Sequence, residues 1–260
     1  MTLIEMLELA LAAVAGGAIN AIAGGGTLVT FPALLLSGTP PIIASATSTL
    51  ALAIGSSGSI YGYREHLEPM RRMLWRLVPV SLAGGLIGAL LLTITSAGTF
   101  SKLAPFLILF GTVLFLTQGA FRRFANLNGP HAADGKHHAC CFWGAIPFQL
   151  AVALYGGYFG AGIGILMLAS LGFIGLSNIH EMNTLKTTLA SLINLVATGW
   201  FILAGLISWP KAGVMTAGAL LGYFLGAHYA QRIPQERVRA IITLIGFLIS
   251  GAIFYEQFLR

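Results

Sequence analysis

The chain is poor in charge: Asp, Glu, Lys and Arg make up 8% of its 260 residues, against about a quarter in a soluble domain. That shortage excludes a water-soluble globular protein. Cysteine is scarce as well, with two residues adjacent at Cys140 and Cys141, and neighbouring thiols build no disulfide framework. Strand-length stretches of alternating polarity are missing, which sets aside a transmembrane barrel. A basic leader is also absent. The N-terminal run MTLIEMLELALAAVAGGAINAIAG carries Glu5 and Glu8 where a cleaved signal peptide carries Lys or Arg, so it reads as a retained first membrane segment.

What the chain has is hydrophobe, 57% of its residues, and 33 glycines. Apolar stretches of about 20 residues recur along its length, the pattern of an all-α polytopic membrane protein. The net charge of +6 then belongs to loops as a topology signal and not to a nucleic-acid surface. The expected partner is a lipid bilayer, with no nucleic acid. A homo-oligomer is compatible with the sequence, and no cofactor is expected.

Five apolar segments precede a polar centre: Leu3–Ala23, Thr27–Ser37, Pro41–Tyr63, Leu74–Thr95 and Phe100–Gly119. Five follow it: Phe142–Tyr158, Ile163–Ile174, Ile179–Leu206, Trp209–Ala230 and Val238–Phe258. The expected organisation is a first membrane repeat over 1–120, a cytoplasmic linker over 121–141 and a second repeat over 142–260. The second segment of each set is too short to cross about 30 Å as a helix. Each follows a glycine cluster, Gly24-Gly25-Gly26 or Gly160-Ala161-Gly162. Such segments are broken or re-entrant helices, and irregular backbone at membrane depth belongs where protein or a water-filled cavity satisfies it. The halves also align in order, with Gly26 over Gly162, Gly38 over Gly175 and Thr47 over Thr184.

Arg64, Arg71, Arg72 and Arg76 follow the third segment. Arg122, Arg123 and Lys136 lie in the centre, and Arg232, Arg237 and Arg239 near the break before the last segment. With all three regions cytoplasmic, the halves come out inverted relative to each other and both termini lie outside. That is an inverted repeat of the kind built around broken helices in secondary transporters.

Lys186 is the most informative residue, an ammonium within an apolar helix that costs several kcal/mol unless paired, hydrated or snorkelled. It reads either as the contact for an anion or as the partner of Glu181. Glu181 and His180 open the same helix; they are proton-coupling candidates, or Glu181 simply favours the positive end of the helix dipole. Asn20, Asn183 and Asn194, with Thr47, Ser48 and Thr49, either line a polar path or join helices by hydrogen bonds. Gly24, Gly25, Gly26, Gly160 and Gly162 complete the expected binding set, because a helix N-terminus with free N–H groups takes anions. Glycines at four-residue spacing, Gly84/Gly88 and Gly218/Gly222/Gly226, read as helix packing.

His131, His137, His138, Cys140 and Cys141 show no ligand spacing for one tetrahedral ion, so the centre reads as a linker and no metal is expected. GSSG at 55–58 offers Ser57 as an intramembrane nucleophile, but His180 and His228 lie at helix ends with the wrong surroundings for a general base. No catalytic residue is assigned.

At the glycine clusters the sequence resembles the TauE/SafE family of sulfite and sulfonate permeases. The resemblance rests on AGGGTLVTFPALLLSGTPPIIASATSTLA and on GGYFGAGIGILMLASLGFIGLSNIHEMNTLKTTLASLINLVATGWFILAGLISW. It implies a bacterial inner-membrane transporter of a small sulfur-containing anion, such as sulfite or an organosulfonate. The glycine runs and the N-x-x-K stretch at Asn183 and Lys186 carry it most directly. The alternatives are an anion channel and an intramembrane enzyme.

Overall fold

A computed structural model describes residues 1–67, 70–127, 137–173, 176, 179–229 and 235–258. These residues form ten helices and no strand: α1 (Leu3–Ala23), α2 (Thr27–Leu36), α3 (Pro41–Leu67), α4 (Arg71–Ile94), α5 (Ala97–Leu127), α6 (His137–Tyr158), α7 (Ile163–Phe173), α8 (Ile179–Leu203), α9 (Trp209–Tyr229) and α10 (Gln235–Phe258). Each expected segment has its helix. Several helices run past their apolar stretch, so α5 and α6 extend into the expected 121–141 linker from both sides. Residues 128–136, with His131 and Lys136, lie outside the described residues, as do Gly175 and Arg232. Among the described helices, four are long and apolar enough to cross a membrane.

Glu5, the unusual acid of the first segment, completes a capping box: Thr2 Oγ1 accepts from its N–H at 3.2 Å. Its carboxylate also pairs with Lys211 Nζ of α9 at 2.8 Å. Lys211 donates in turn to Ser37 O and Ser37 Oγ, both at 2.9 Å, and to Thr39 Oγ1 at 3.0 Å. The start of α1, the end of α2, the approach to α3 and the start of α9 therefore share one end of the bundle. So α2 is a re-entrant helix that returns to the side from which α1 entered. At the other end, Leu171 of α7, Met182 of α8 and Met70, which precedes α4, share a buried cluster. This places the end of α7 beside the start of α8 and makes α7 the second re-entrant helix.

The helix pairing is symmetric between the halves. Exchanging α1 with α6, α2 with α7, α3 with α8, α4 with α9 and α5 with α10 carries the main packed pairs onto one another. Two of these counterpart pairs run antiparallel. Thr47 of α3 meets Ser208 beyond α8, while Ser56 meets Ser191. Likewise Pro105 of α5 meets Ser250 of α10, while Thr112 meets Gly246.

The pairing also crosses between halves, because α9 packs on α1 and α3, and α4 on α6 and α8. Glycine makes this possible. A Cβ at Gly218 would lie 2.7 Å from Ala10 O, one at Gly222 would strike the Val14 carbonyl, and one at Gly226 would lie 2.7 Å from Ala18 Cα. In the counterpart pair, a Cβ at Gly84 would lie 2.6 Å from Ala153 Cβ and one at Gly88 would strike the Leu154 carbonyl. The four-residue glycine spacing is thus a backbone-to-backbone seam, as expected where lipid supplies no hydrophobic drive between helices.

Gly222→Ala should destabilise by about 1–3 kcal/mol, because the added methyl meets fixed backbone. Gly199→Ala, in α8 with nothing within 4 Å, should be neutral or gain roughly 0.5–1 kcal/mol. Thermal unfolding of the two purified variants in detergent checks the contrast; equal midpoints would remove the seam from the account.

Candidate functional site

The chain turns inside the bundle at two places. α1 ends at Gly24, whose φ of +81° is left-handed and whose N–H donates to Asn20 O at 3.1 Å, a conformation that favours glycine. Asn20 Oδ1 accepts from Gly26 N at 3.2 Å and so satisfies a donor at the start of α2. Its Nδ2 donates to the Tyr223 hydroxyl of α9. Tyr223 lays its ring against Gly55 of α3, and Ser191 Oγ of α8 donates to the neighbouring Ser56 Oγ at 3.2 Å. Polar bonds therefore link the first turn to α9, and α3 to α8. Beside the turn, Thr30 Oγ1 donates to Gly26 O at 3.1 Å and pairs with Ser48 Oγ at 2.6 Å. Gly25 and Gly26 are buried.

The second turn has Gly160 and Gly162 both at φ +76°. The Tyr155 hydroxyl braces it by donating to Ala161 O at 2.6 Å. Asn194 Oδ1 of α8 stands 4.0 Å from the place where a Cβ of Gly160 would be. With Gly26 over Gly162, the position equivalent to Asn20 is Gly156, which has no side chain to cap the turn. The two tips touch: a Cβ on Gly24 would lie 3.4 Å from Gly164 Cα. The ten residues of α2 rise about 15 Å, half the thickness of a hydrocarbon core. The tips therefore meet near mid-depth.

The remaining expected residues are spread around this point. Lys186 Nζ donates to Asn183 Oδ1 at 3.1 Å, partly buried. Lys186 precedes Asn194 by about two turns of α8, roughly 12 Å along the axis. Glu181 is partly buried in the first turn of α8, where the side chain of His180 lies outside the described residues. Thr47 Oγ1 accepts from Ser208 N at 3.2 Å, and Thr49 Oγ1 donates to Ser45 O at 2.9 Å. These two bonds join or trim helices. Ser57 Oγ donates to Ile54 O at 2.6 Å within its own helix, and His228 stacks on Phe224. For Tyr223, Ser56, Ser191 and Tyr155 the one local signal in the sequence is a hydroxyl inside an apolar helix.

Asn20→Ala should cost about 1–3 kcal/mol, since it leaves the buried Gly26 N–H and the Tyr223 hydroxyl without this partner. Tyr223→Phe should cost less, and the double variant less than the sum of the two, because both act in one chain of bonds. A double-mutant cycle on thermal stability checks this; additive costs would break the chain.

Residues 9–253 match the family model described as sulfite exporter TauE/SafE. A probable membrane transporter protein of Haemophilus influenzae is 32% identical over 241 residues, covering 92% of this chain and 90% of that protein. The probable membrane transporter protein ORF9 of Sinorhizobium is 28% identical, covering 92% and 88%. The probable membrane transporter protein YfcA of Escherichia coli K12 is 27% identical, covering 94% and 88%. No solved structure matches. With its re-entrant helices, apolar spans and whole-length match, the chain is a multi-pass helical membrane protein and belongs to the TauE/SafE family of transporters.

Proposed function

We propose that the protein carries a small sulfur-containing oxyanion, such as sulfite or an organosulfonate, across the cytoplasmic (inner) membrane by alternating access. The observation that carries this reading is the meeting of the two hairpin tips, where Gly24 faces Gly164 near mid-depth. Two helix N-termini converging there turn partial positive charge toward one point, which suits an anion. Lys186 supplies the compensating charge from the inner stretch of α8. Asn20, Asn183 and Asn194 offer amide donors, Gly24–Gly26 and Gly160–Gly162 offer backbone, and Thr47, Ser48 and Thr49 line the opposite wall.

The antiparallel runs of α3 with α8 and of α5 with α10 support an inverted repeat, because a two-fold axis in the membrane plane relates helices of opposite direction. The helix ends carrying Arg71, Arg72, Arg122, Arg123, Arg237 and Arg239 then share one face, which the positive-inside rule makes cytoplasmic. A membrane potential is worth about 2.3 kcal/mol per charge per 100 mV and drives an anion outward. Export therefore needs no further coupling, whereas uptake requires a second gradient, for which His180 and Glu181 are the proton-coupling candidates.

Labelled sulfite uptake into proteoliposomes tests the carrier, with sulfate, sulfoacetate and acetate as competitors and with or without an imposed potential. The expected result is saturable, potential-sensitive flux that falls about tenfold in Lys186→Ala, equivalent to 1.4 kcal/mol of lost binding. Non-saturating flux would point to a channel. Equal flux in both proteins would leave Lys186 structural, and no flux under any gradient would overturn the stand-alone carrier.

A further inference from the structure

The two turns are not equivalent, and their difference narrows the site. At the first turn Gly26 N is taken by Asn20, and Asn20 is tied to Tyr223. At the second, the equivalent of Asn20 is Gly156, so no side chain caps the N–H of Gly162 from that position. What stands at the second turn instead comes from α8. Asn194 Oδ1 lies beside Gly160. One turn further along the same face is Thr198, 6% exposed, whose Oγ1 has no hydrogen-bond partner among the described residues. Phe201 continues that face at the i+7 position and shares a buried cluster with Phe159, the residue that opens the turn. A buried hydroxyl left without a partner costs about 1–3 kcal/mol. The Thr198 hydroxyl stands one turn beyond Asn194 on the face of α8 that meets the second turn, where a ligand oxygen would satisfy both the hydroxyl and the N–H groups of the turn.

We infer that the second turn, and not the first, is the anion subsite, with Ala161 and Gly162 N–H, Thr198 Oγ1 and the Asn194 amide as neutral donors. This inference rests on the carrier reading above. The first turn is its structural counterpart, closed by its own side chain. Lys186 sits about two turns toward the start of α8 and sets the potential without touching the bound anion. Outward of the turn the site is walled by rings: Phe31 packs edge-on against Phe159 at 5.1 Å, and Phe31, Phe100, Phe159 and Phe201 are fully buried. Rings packed on that side leave less room for an extended tail, so the subsite takes a small inorganic oxyanion in preference to a long organosulfonate.

The test is sulfite flux in proteoliposomes, with thermal midpoints measured on the same preparations. Thr198→Val should raise the KM for sulfite about tenfold at an equal or higher midpoint, because it removes the unpartnered hydroxyl, and Thr198→Ser, which keeps the donor, should restore KM. Asn194→Asp should raise KM at least as much, by placing a carboxylate against the anion. Asn20→Ala should lower the midpoint and raise KM less than Thr198→Val does. Sulfoacetate should compete less well than sulfite. If wild-type flux is saturable but Thr198→Val and Asn194→Asp leave KM unchanged, the subsite is overturned while the carrier stands. A KM effect confined to Asn20→Ala moves the subsite to the first turn, and sulfoacetate preferred over sulfite overturns the inorganic class. A wild type without flux overturns the carrier and the subsite together.

Discussion

A peptide group in the middle of a bilayer has no water to bond, and the protein opens its backbone there twice. Both breaks are tolerable only because protein surrounds them. Gly24 and Gly160 bend the chain through left-handed φ, and their N–H groups return to the ends of α1 and α6 at 3.1 Å. Asn20 reaches Gly26 from one side, and Tyr155 reaches Ala161 from the other. The helices packed around the tips then exclude lipid from what remains. An anion site in such a place draws on the same groups, since the donors that cost energy when unpaired are those a ligand can use.

The enclosure depends on close approach. Lipid tails are as apolar as leucine, so helices in a bilayer gain by touching and by hydrogen-bonding, not by hiding from solvent. Here α1 meets α9, and α4 meets α6, through glycine and alanine at carbonyl distance. Hydroxyl pairs such as Thr30 with Ser48 and Ser56 with Ser191 tie α3 to its neighbours. At one end of the bundle Lys211 ties four chain segments together. The re-entrant α2 is thus held at its tip by Asn20 and at its base by a cation.

Local patterns in the sequence carry much of this fold. Run length separates spanning from re-entrant helices, the clusters at Gly24 and Gly160 mark the breaks, and the spacing of Gly218, Gly222 and Gly226 marks a packing stripe. Partner choice is another matter. Nothing near Asn20 names Tyr223, 203 residues away, and a tyrosine in an apolar helix looks the same whether it anchors at an interface or bonds a buried amide. Lys186 stands out because a charge in an apolar run is conspicuous, whereas Thr198 is hidden because threonine there is ordinary. Periodicity identifies the face a helix buries, and only the folded chain identifies what meets it.

The exchange of α4 and α9 between halves bears on how such a chain is made. Ribosomes deliver helices in order, and α1 enters the bilayer with a stripe at Ala10, Val14 and Ala18 shaped for a helix about two hundred residues downstream. Until α9 arrives, that stripe rests against lipid or against a substitute neighbour. The first half therefore cannot reach its final arrangement while it is the only half in the membrane. Assembly waits for the last quarter of the polypeptide, and a truncation anywhere before α9 leaves the first re-entrant loop without the helix that shields it.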